Sequence, residues 1–300
     1  MKLFNTVVRF LSDLLIPGGR MFCASRFMSI AIVSLVPMLG YGTASARYDV
    51  NGNDISGDTG PVTGEGDICG TCPAATGDTG VDFKGNDLLG YAPGYNGGDD
   101  NIRRYQSCGE VDSIVLHPAP TAGFDIGYDS LRDRYIVTDS AQHLLLIYAS
   151  DGSQVGSFAA IGNPVGATYD AGRDVYWACD WISNQIYAVN ATSGVIGPVF
   201  AAPAGTRIAG TGYDAANDAI AYNARDQATG YWMSAANGSL IASYAIPLAG
   251  KNNGQGCGVD PTTTNVWLSH AEQPFVYCIF GLGPIAISPV SWGSIKANYR

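Results

Sequence analysis

Hydrophobic and polar residues alternate in short runs through most of this chain, and turn residues separate the runs. In the stretch that begins at Val165, the runs are VGATYD, DVYWACDW, QIYAVNA and GVIGPVF. They are rich in Val, Ile, Tyr and Trp, and the breaks between them contain Gly172, Asn184 and Ser193. Because β-branched and aromatic residues at a period of two favour strands, while Gly and Asn favour turns, this stretch predicts four short antiparallel strands.

The four-strand pattern repeats along the chain. Clear copies begin at Gly123, Val165, Ile208 and Gly256, and a weaker copy begins at Gly80. A four-stranded unit of about 40–45 residues is the size of one β-propeller blade. The sequence therefore predicts an all-β propeller over residues 80–300, with five blades favoured and six blades as the alternative.

An aspartate ends the first predicted strand of each clear copy. These anchor aspartates are 41, 44 and 46 residues apart, at Asp129, Asp170, Asp214 and Asp260. In the weak copy, Asp82 and Asp87 take the equivalent polar positions. We expect each anchor carboxylate to accept backbone N–H groups of the adjoining turn. The alternative is a ring of carboxylates that binds a cation in the central channel.

The copy from Val165 carries residues that are typical of a known group of propellers. It reads Gly166-Ala167-Thr168-Tyr169-Asp170, then Asp174-Val175-Tyr176, Asn184-Gln185-Ile186-Tyr187 and Ser193-Gly194. This pattern resembles the blades of the NHL, YVTN and SMP-30-like propellers, and the resemblance covers residues 123–287. It implies the architecture. It also implies an alternative function, because SMP-30-like lactonases and streptogramin lyases use channel-rim residues with a divalent metal.

Residues 1–46 are predicted to be a secretory signal peptide. An apolar run over 29–40 follows Arg20 and Arg26 and precedes Ala44-Ser45-Ala46, which is a small-x-small cleavage pattern. Such a run is too short to span a bilayer, since a spanning helix needs about 20 residues. The sequence predicts cleavage after Ala46 and a mature protein that is secreted, periplasmic or on the cell surface, without membrane insertion.

Residues 47–79 are dominated by Gly, Asp, Asn, Thr and Pro and are predicted to form a linker or tail. Asp49, Asn51 and Asn53 have the 1-3-5 oxygen spacing of calcium loops. Asp54 stands where such loops need glycine, and the bidentate glutamate is missing as well. A solvated loop is therefore favoured over a calcium site, so no cofactor is expected, with calcium as the alternative.

The cysteines indicate disulfide bonds. Of the seven cysteines, Cys23 lies in the predicted signal peptide, which leaves an even number in the mature chain. An even number of cysteines in an exported protein favours disulfides. We expect one or both of Cys69 and Cys72 to staple the 47–79 segment, with Cys108 as the favoured partner.

Composition and motifs limit the function. The chain has 26 acidic and 16 basic residues, a formal net charge of -10, which argues against nucleic-acid binding because that function needs clustered Lys and Arg. No nucleophile elbow, zinc-protease or P-loop motif is present. The candidate binding residues are Asp139 and Asp180, at the ends of second strands, and Trp181 in the next turn, where an indole can stack on a sugar or anchor a partner. For the two aspartates, turn capping is the favoured role.

These features favour an exported, non-enzymatic module for binding or assembly. The expected partners are a protein, a glycan or further copies of the same chain. We expect residues 47–79 or 289–300 to lie along a blade edge, in the same subunit or in a neighbouring one, because extended segments add readily to open strand edges. The alternative is a metal-dependent hydrolase or lyase.

Overall fold

Every strand in the described part of the chain belongs to a four-stranded antiparallel sheet. The computed structural model describes residues 68–73, 79–94, 98–205, 207–224, 229–246, 254–270, 275–279 and 281–282. It contains five such sheets, which confirms the predicted all-β propeller with five blades. No helix in these ranges is both long and apolar enough to cross a membrane.

The blades follow one another along the chain, and we number them from 1 to 5. Blade 1 contains β2 (Gly80–Lys84), β3 (Asp87–Ala92), β4 (Asn101–Gln106) and β5 (Gly109–Val115). Blade 2 contains β6 (Gly123–Asp129), β7 (Arg134–Asp139), β8 (Leu144–Ala149) and β9 (Gln154–Ala159). Blade 3 contains β10 (Pro164–Asp170), β11 (Val175–Asp180), β12 (Gln185–Asn190) and β13 (Ile196–Ala201).

Blade 4 contains β14 (Ile208–Asp214), β15 (Ala219–Ala224), β16 (Thr229–Ser234) and β17 (Leu240–Ala245). Blade 5 contains β18 (Gly254–Val259), β19 (Val266–His270), β20 (Phe275–Ile279) and, from the other end of the chain, β1 (Ile68–Pro73). The first strands of the blades, β2, β6, β10, β14 and β18, contact one another in this order, and β18 contacts β2. We call these five the inner strands, and together they form a closed ring.

The seam of the ring lies in blade 5. β1 pairs antiparallel with β20, with Gly70 opposite Cys278 and Cys72 opposite Val276. The expectation that part of 47–79 lies along a blade edge is confirmed for 68–73, within the same chain. For these six residues the linker interpretation was wrong, because the exposed edge of β20 supplies backbone partners to a segment with little hydrophobic periodicity of its own. The edge of β20 is therefore filled by the same chain, whereas 289–300 lies outside the described residues.

The anchor aspartates of blades 2 to 5 take the predicted turn role. Asp129 accepts backbone N–H groups from Leu131 and Arg132, both at 3.1 Å. Equivalent bonds reach Asp170 from Arg173, Asp214 from Ala216 and Asn217, and Asp260 from Thr262 and Thr263. A carboxylate that accepts these bonds satisfies donors that the hairpin would otherwise leave without a partner.

In blade 1 the expected anchor role of Asp82 was wrong. Lys84 pairs with Asp87 at the end of the β2–β3 hairpin, just as Asp129 pairs with Arg134 in blade 2. Lys84 is thus the counterpart of the anchor aspartates, and Asp82 lies two residues earlier. The turn in blade 1 has only two residues, with Gly85 at φ 63°, and so short a turn needs no anchoring carboxylate.

The hydrophobic core lies between neighbouring blades. The largest fully buried side chains include the aromatic residues Tyr135, Trp177, Tyr222 and Trp232 on second and third strands. One cluster, for example, joins Trp177 of blade 3 to Tyr222 of blade 4. Each blade therefore buries its apolar faces against its neighbours, and neighbouring blades share the core.

Candidate functional site

The inner strands carry small residues where they meet the next blade. We call the inner-strand end position of each blade, Lys84 in blade 1 and the anchor aspartate in the others, the closing position. Four residues before it stand Gly80, Asp125, Gly166, Gly210 and Gly256, and two residues before it stand Asp82, Gly127, Thr168, Gly212 and Gly258. Asp82 and Asp125 are thus the two acidic exceptions in a set that is otherwise glycine or threonine.

Glycine is needed at these positions because the inner strands approach one another closely. A Cβ atom on Gly127 would lie 2.9 Å from the carbonyl oxygen of Ala167 in the next blade. A Cβ on Gly258 would lie 2.8 Å from the carbonyl oxygen of Val81. Both distances are shorter than real Cβ contacts, so a ring of five blades leaves little room for side chains here.

Asp125 is completely buried at the centre of the ring. Its carboxylate accepts the backbone N–H of Val81 in blade 1 at 3.1 Å and that of Thr211 in blade 4 at 3.3 Å. Burial raises the pKa of Asp125 well above its usual range, and the nearby Asp82 raises it further. Through these two bonds Asp125 joins blade 2 to blades 1 and 4.

Asp82 lies closer to solvent than Asp125, with 7% of the residue exposed. Its carboxylate accepts the backbone N–H of Tyr128 in blade 2 at 2.7 Å. Burial raises the pKa of Asp82 to about 7, although hydrogen bonds from the backbone of Tyr128 and Phe83 act in the opposite direction. Asp82 therefore changes its charge near neutral pH.

Asp82 faces a cavity of about 390 Å³ at one mouth of the channel. All five blades contribute to its lining. The residues immediately before the closing positions surround it with mostly aromatic side chains. We call this set the aromatic ring, and it consists of Phe83, Tyr128, Tyr169, Tyr213 and Val259. Among the described residues that line this cavity, Asp82 is the one carboxylate, and none is Lys or Arg.

Ion pairs between blades form the rim of this cavity. Lys84 of blade 1 binds Asp133 of blade 2 at 2.6 Å. Arg132 of blade 2 makes two bonds of 2.7 Å to Asp174 of blade 3, and Arg173 of blade 3 binds Asp218 of blade 4 in the same bidentate way. These contacts neutralise the rim cations and hold consecutive blades together.

The same aspartates hold the tyrosines of the aromatic ring. The hydroxyl groups of Tyr128, Tyr169 and Tyr213 donate to Asp133, Asp174 and Asp218 at 2.8, 2.9 and 3.0 Å. Burial, with a hydrogen bond to the aspartate, raises the pKa values of Tyr128 and Tyr169 to about 12. Their phenol groups therefore stay protonated and fixed at the rim.

The candidate binding residues from the sequence lie at the other ends of the strands, away from this cavity. Asp139 is buried and accepts the backbone N–H groups of Thr121, Ala141 and Gln142, and Asp180 accepts those of Asn163 and Ser183. Trp181 is half-buried and packs against Phe124, with ring centroids 6.1 Å apart. These contacts support the turn-capping role of the two aspartates.

The remaining predicted site residues fall partly outside the described structure. Asp49, Asn51 and Asn53 lie outside it, as do the side chains of Cys69 and Cys72. Cys108 lies in the turn between β4 and β5. Within the described ranges, no three His, Cys, Asp or Glu residues are placed to hold a metal ion.

The sequence contained a signal for the channel residues that we did not use. Aligning the copies on their closing positions places glycine in most copies at the positions of Asp82 and Asp125. We assigned Asp82 to an anchor role and did not single out Asp125. An aspartate at a position where most other copies have glycine is the feature that indicates a special role for these two residues.

Removing the Asp82 charge is expected to stabilise the protein at high pH. The pKa of Asp82 is 3.8 in the unfolded chain and about 7 in the folded protein. The folded state therefore favours the protonated form of Asp82. The stability that this preference for the protonated form contributes is complete below pH 3.8 and is lost as the pH rises through about 7. Asp82→Asn should therefore raise the free energy of unfolding by roughly 2–4 kcal/mol at pH 8, since one pKa unit corresponds to about 1.4 kcal/mol.

Urea denaturation of the wild type and Asp82→Asn at pH 4, 6 and 8 measures this effect. The two proteins should differ least at pH 4 and most at pH 8. A difference that is the same at all three pH values would contradict the raised pKa of Asp82.

Comparison with known proteins adds evidence on the fold. No protein-family model and no curated protein sequence matches this chain. Among solved structures, glutaminyl cyclase from Myxococcus xanthus is similar with a TM-score of 0.57 and 13% identity, over 72% of this chain and 95% of that chain. This likeness agrees with the propeller architecture that the repeat pattern predicted.

Two further solved structures are similar at a lower level. The WD40 propeller domain of Doa1 has a TM-score of 0.44 and 13% identity, over 71% of this chain and 63% of that chain. Streptogramin B lyase has a TM-score of 0.44 and 16% identity, over 68% of this chain and 65% of that chain.

Proposed function

We propose that this protein is a ligand-binding propeller whose binding site is the cavity at the mouth of the channel. The observation that carries this proposal is the position of Asp82. Its ionisable carboxylate lies in a cavity that aromatic side chains from several blades surround. Concave sites with mostly apolar walls and a few polar groups are the usual form of small-molecule sites. The cavity has this form.

The cost of Asp82 to the fold supports a functional role. Three other blades have glycine at the same position, and the raised pKa of Asp82 means that its ionised form opposes folding near neutral pH. Groups that break a local structural rule and have a strongly shifted pKa are concentrated at functional sites. Asp82 meets both criteria and also reaches the cavity.

Acid–base catalysis in the same cavity is the second candidate function. A carboxyl group with a pKa of about 7 can both donate and accept a proton at physiological pH. The Myxococcus xanthus protein of similar fold is by its name a glutaminyl cyclase, so such a propeller can carry an enzyme. For the present chain, the cavity and Asp82 support this role, without a defined substrate.

Blocking the cavity tests the binding proposal. Ala171 is exposed in the turn after β10 and lines the cavity, whereas Ala141 is exposed in a turn at the other ends of the strands. Ligand-observed NMR with a library of small cations, anions and neutral compounds should find binders for the wild type. Ala171→Trp should lose them and Ala141→Trp should keep them. If no compound distinguishes the two variants, the proposal is wrong.

We further propose that disulfides tie β1 into the ring of an exported protein. Cys108 of blade 1 and Cys278 of blade 5 are disulfide-bonded, whereas Cys179 and Cys257 are buried free thiols. Once the predicted signal peptide is removed, the two remaining cysteines are both on β1, which supports them as the partners. Disulfides persist in oxidising compartments, which agrees with the predicted export.

A further inference from the structure

The described lining of the cavity contains an acidic side chain and no basic one. Asp82 is the carboxylate in its described lining, and Asp125 is completely buried outside that lining. Lys84, Arg132 and Arg173 lie outside that lining, and each is bound to an aspartate of the next blade. The field inside the cavity is therefore set mainly by Asp82, and it attracts positive charge.

The walls of the cavity also favour a cation. The hydroxyl groups of Tyr128, Tyr169 and Tyr213 are occupied by rim aspartates, so these side chains offer the cavity their aromatic rings. Aromatic faces attract ammonium groups, with about 0.5–2 kcal/mol for each contact. The chain itself makes such a contact, because Lys84 Nζ lies 5.0 Å from the centroid of the Tyr128 ring.

We propose that the ligand of this cavity is a small organic cation with an apolar body, and that Asp82 is its counter-ion. This inference rests on the proposed function of the cavity. The ammonium group would lie against the Asp82 carboxylate, and the apolar body would lie against Phe83, Tyr169 and Tyr213. An anionic ligand would face Asp82 without a cationic partner in the described lining.

Three probes of nearly equal shape and different charge test this proposal. They are phenethylammonium, neutral 2-phenylethanol and anionic 3-phenylpropionate, each titrated by ligand-observed NMR at pH 8 and low ionic strength. We expect the cation to bind the wild type at least 10-fold more tightly than the neutral probe. The anion should bind most weakly.

Variants of the counter-ion complete the test. Asp82→Asn should remove the preference for the cation, and so should Asp82→Gly, which introduces the residue found at this position in three other blades. Asp112→Asn is the control, because it removes an exposed carboxylate on β5 that is remote from the cavity lining and changes the net charge equally. This control should keep the preference.

The outcomes separate this inference from the proposed function. If 2-phenylethanol or 3-phenylpropionate binds as tightly as the cation, or if Asp82→Asn keeps the preference, the cation proposal is wrong and the cavity remains a ligand site. If none of the probes binds while other library compounds are lost in Ala171→Trp, the cation proposal is also wrong. If that variant loses no library compound, the proposed function itself fails.

Discussion

Replacing β1 by a flexible segment is expected to open the ring at its seam. In this variant, the six residues ICGTCP at 68–73 become GSGSGS. Blade 5 then loses its fourth strand, and β20 loses its partner along the whole strand. We expect a loss of roughly 4–6 kcal/mol in stability and a fall in Tm of about 10–20 °C, since 1 kcal/mol shifts Tm by about 2–4 °C for a domain of this size.

Inner strands and an apolar cluster also join blades 5 and 1, because β18 contacts β2 and Trp267 packs against Phe83. Ion pairs join blades 1, 2, 3 and 4 in sequence at the cavity rim. At the junction of blades 5 and 1, the described rim contact is a hydrogen bond between neutral groups, from Thr262 Oγ1 to Asn86 Oδ1 at 3.0 Å. Because the chain continues from β1 into β2 of blade 1, pairing of β1 with β20 also ties blade 5 to blade 1 through the chain itself.

A cysteine variant separates the strand from its cross-links. Cys69→Ser/Cys72→Ser keeps a strand sequence but removes the proposed disulfides to Cys108 and Cys278. It should lower Tm less than the GSGSGS variant does. Peptide mapping of the unreduced wild type should recover each β1 cysteine linked to one of these two partners.

Differential scanning calorimetry of the three proteins measures these effects. If the GSGSGS variant unfolds at the wild-type temperature, β1 does not close the ring. A peptide in which Cys69 is linked to Cys72 would contradict the proposed disulfides and leave the strand prediction intact.

The second large effect is expected when a side chain is added between the inner strands. Gly127→Val should destabilise the protein by roughly 3 kcal/mol or more, because overpacking a tight contact forces backbone shifts. The first added carbon would lie 2.9 Å from the Ala167 carbonyl oxygen and 3.2 Å from Thr168 Cα, and backbone atoms cannot move aside as a side chain does. A shift here would displace blade 3 from blade 2.

A matched control lies in the same blade. Gly156 is on the outer strand β9, and an added Cβ there would meet nothing within 4 Å. Gly156→Val should therefore change the free energy of unfolding by less than about 0.5 kcal/mol, as is usual for surface positions. Urea denaturation compares the two variants. Equal stability of Gly127→Val and Gly156→Val would show that the inner strands tolerate side chains, against the packing described above.

The sequence by itself determined the blades. Alternation at a period of two, turn residues at regular intervals and the anchor aspartates Asp129, Asp170, Asp214 and Asp260 are local features, and each acts within one hairpin. Inner-strand positions were therefore predictable to within two residues, from the starts predicted at Gly80, Gly123, Val165, Ile208 and Gly256. The same locality explains the error in blade 1, where a shorter turn changes the counterpart of the anchor from Asp82 to Lys84.

Only the tertiary structure decided how the ring closes and where the cavity lies. β1 is remote in sequence from β20, and the composition of 68–73 does not indicate which strand it pairs with. Asp82 and Asp125 are separated by 43 positions in the sequence, yet closure of five blades buries both at the axis and raises their pKa values. A single strand cannot create that low-dielectric surrounding, because it arises from the approach of all five inner strands.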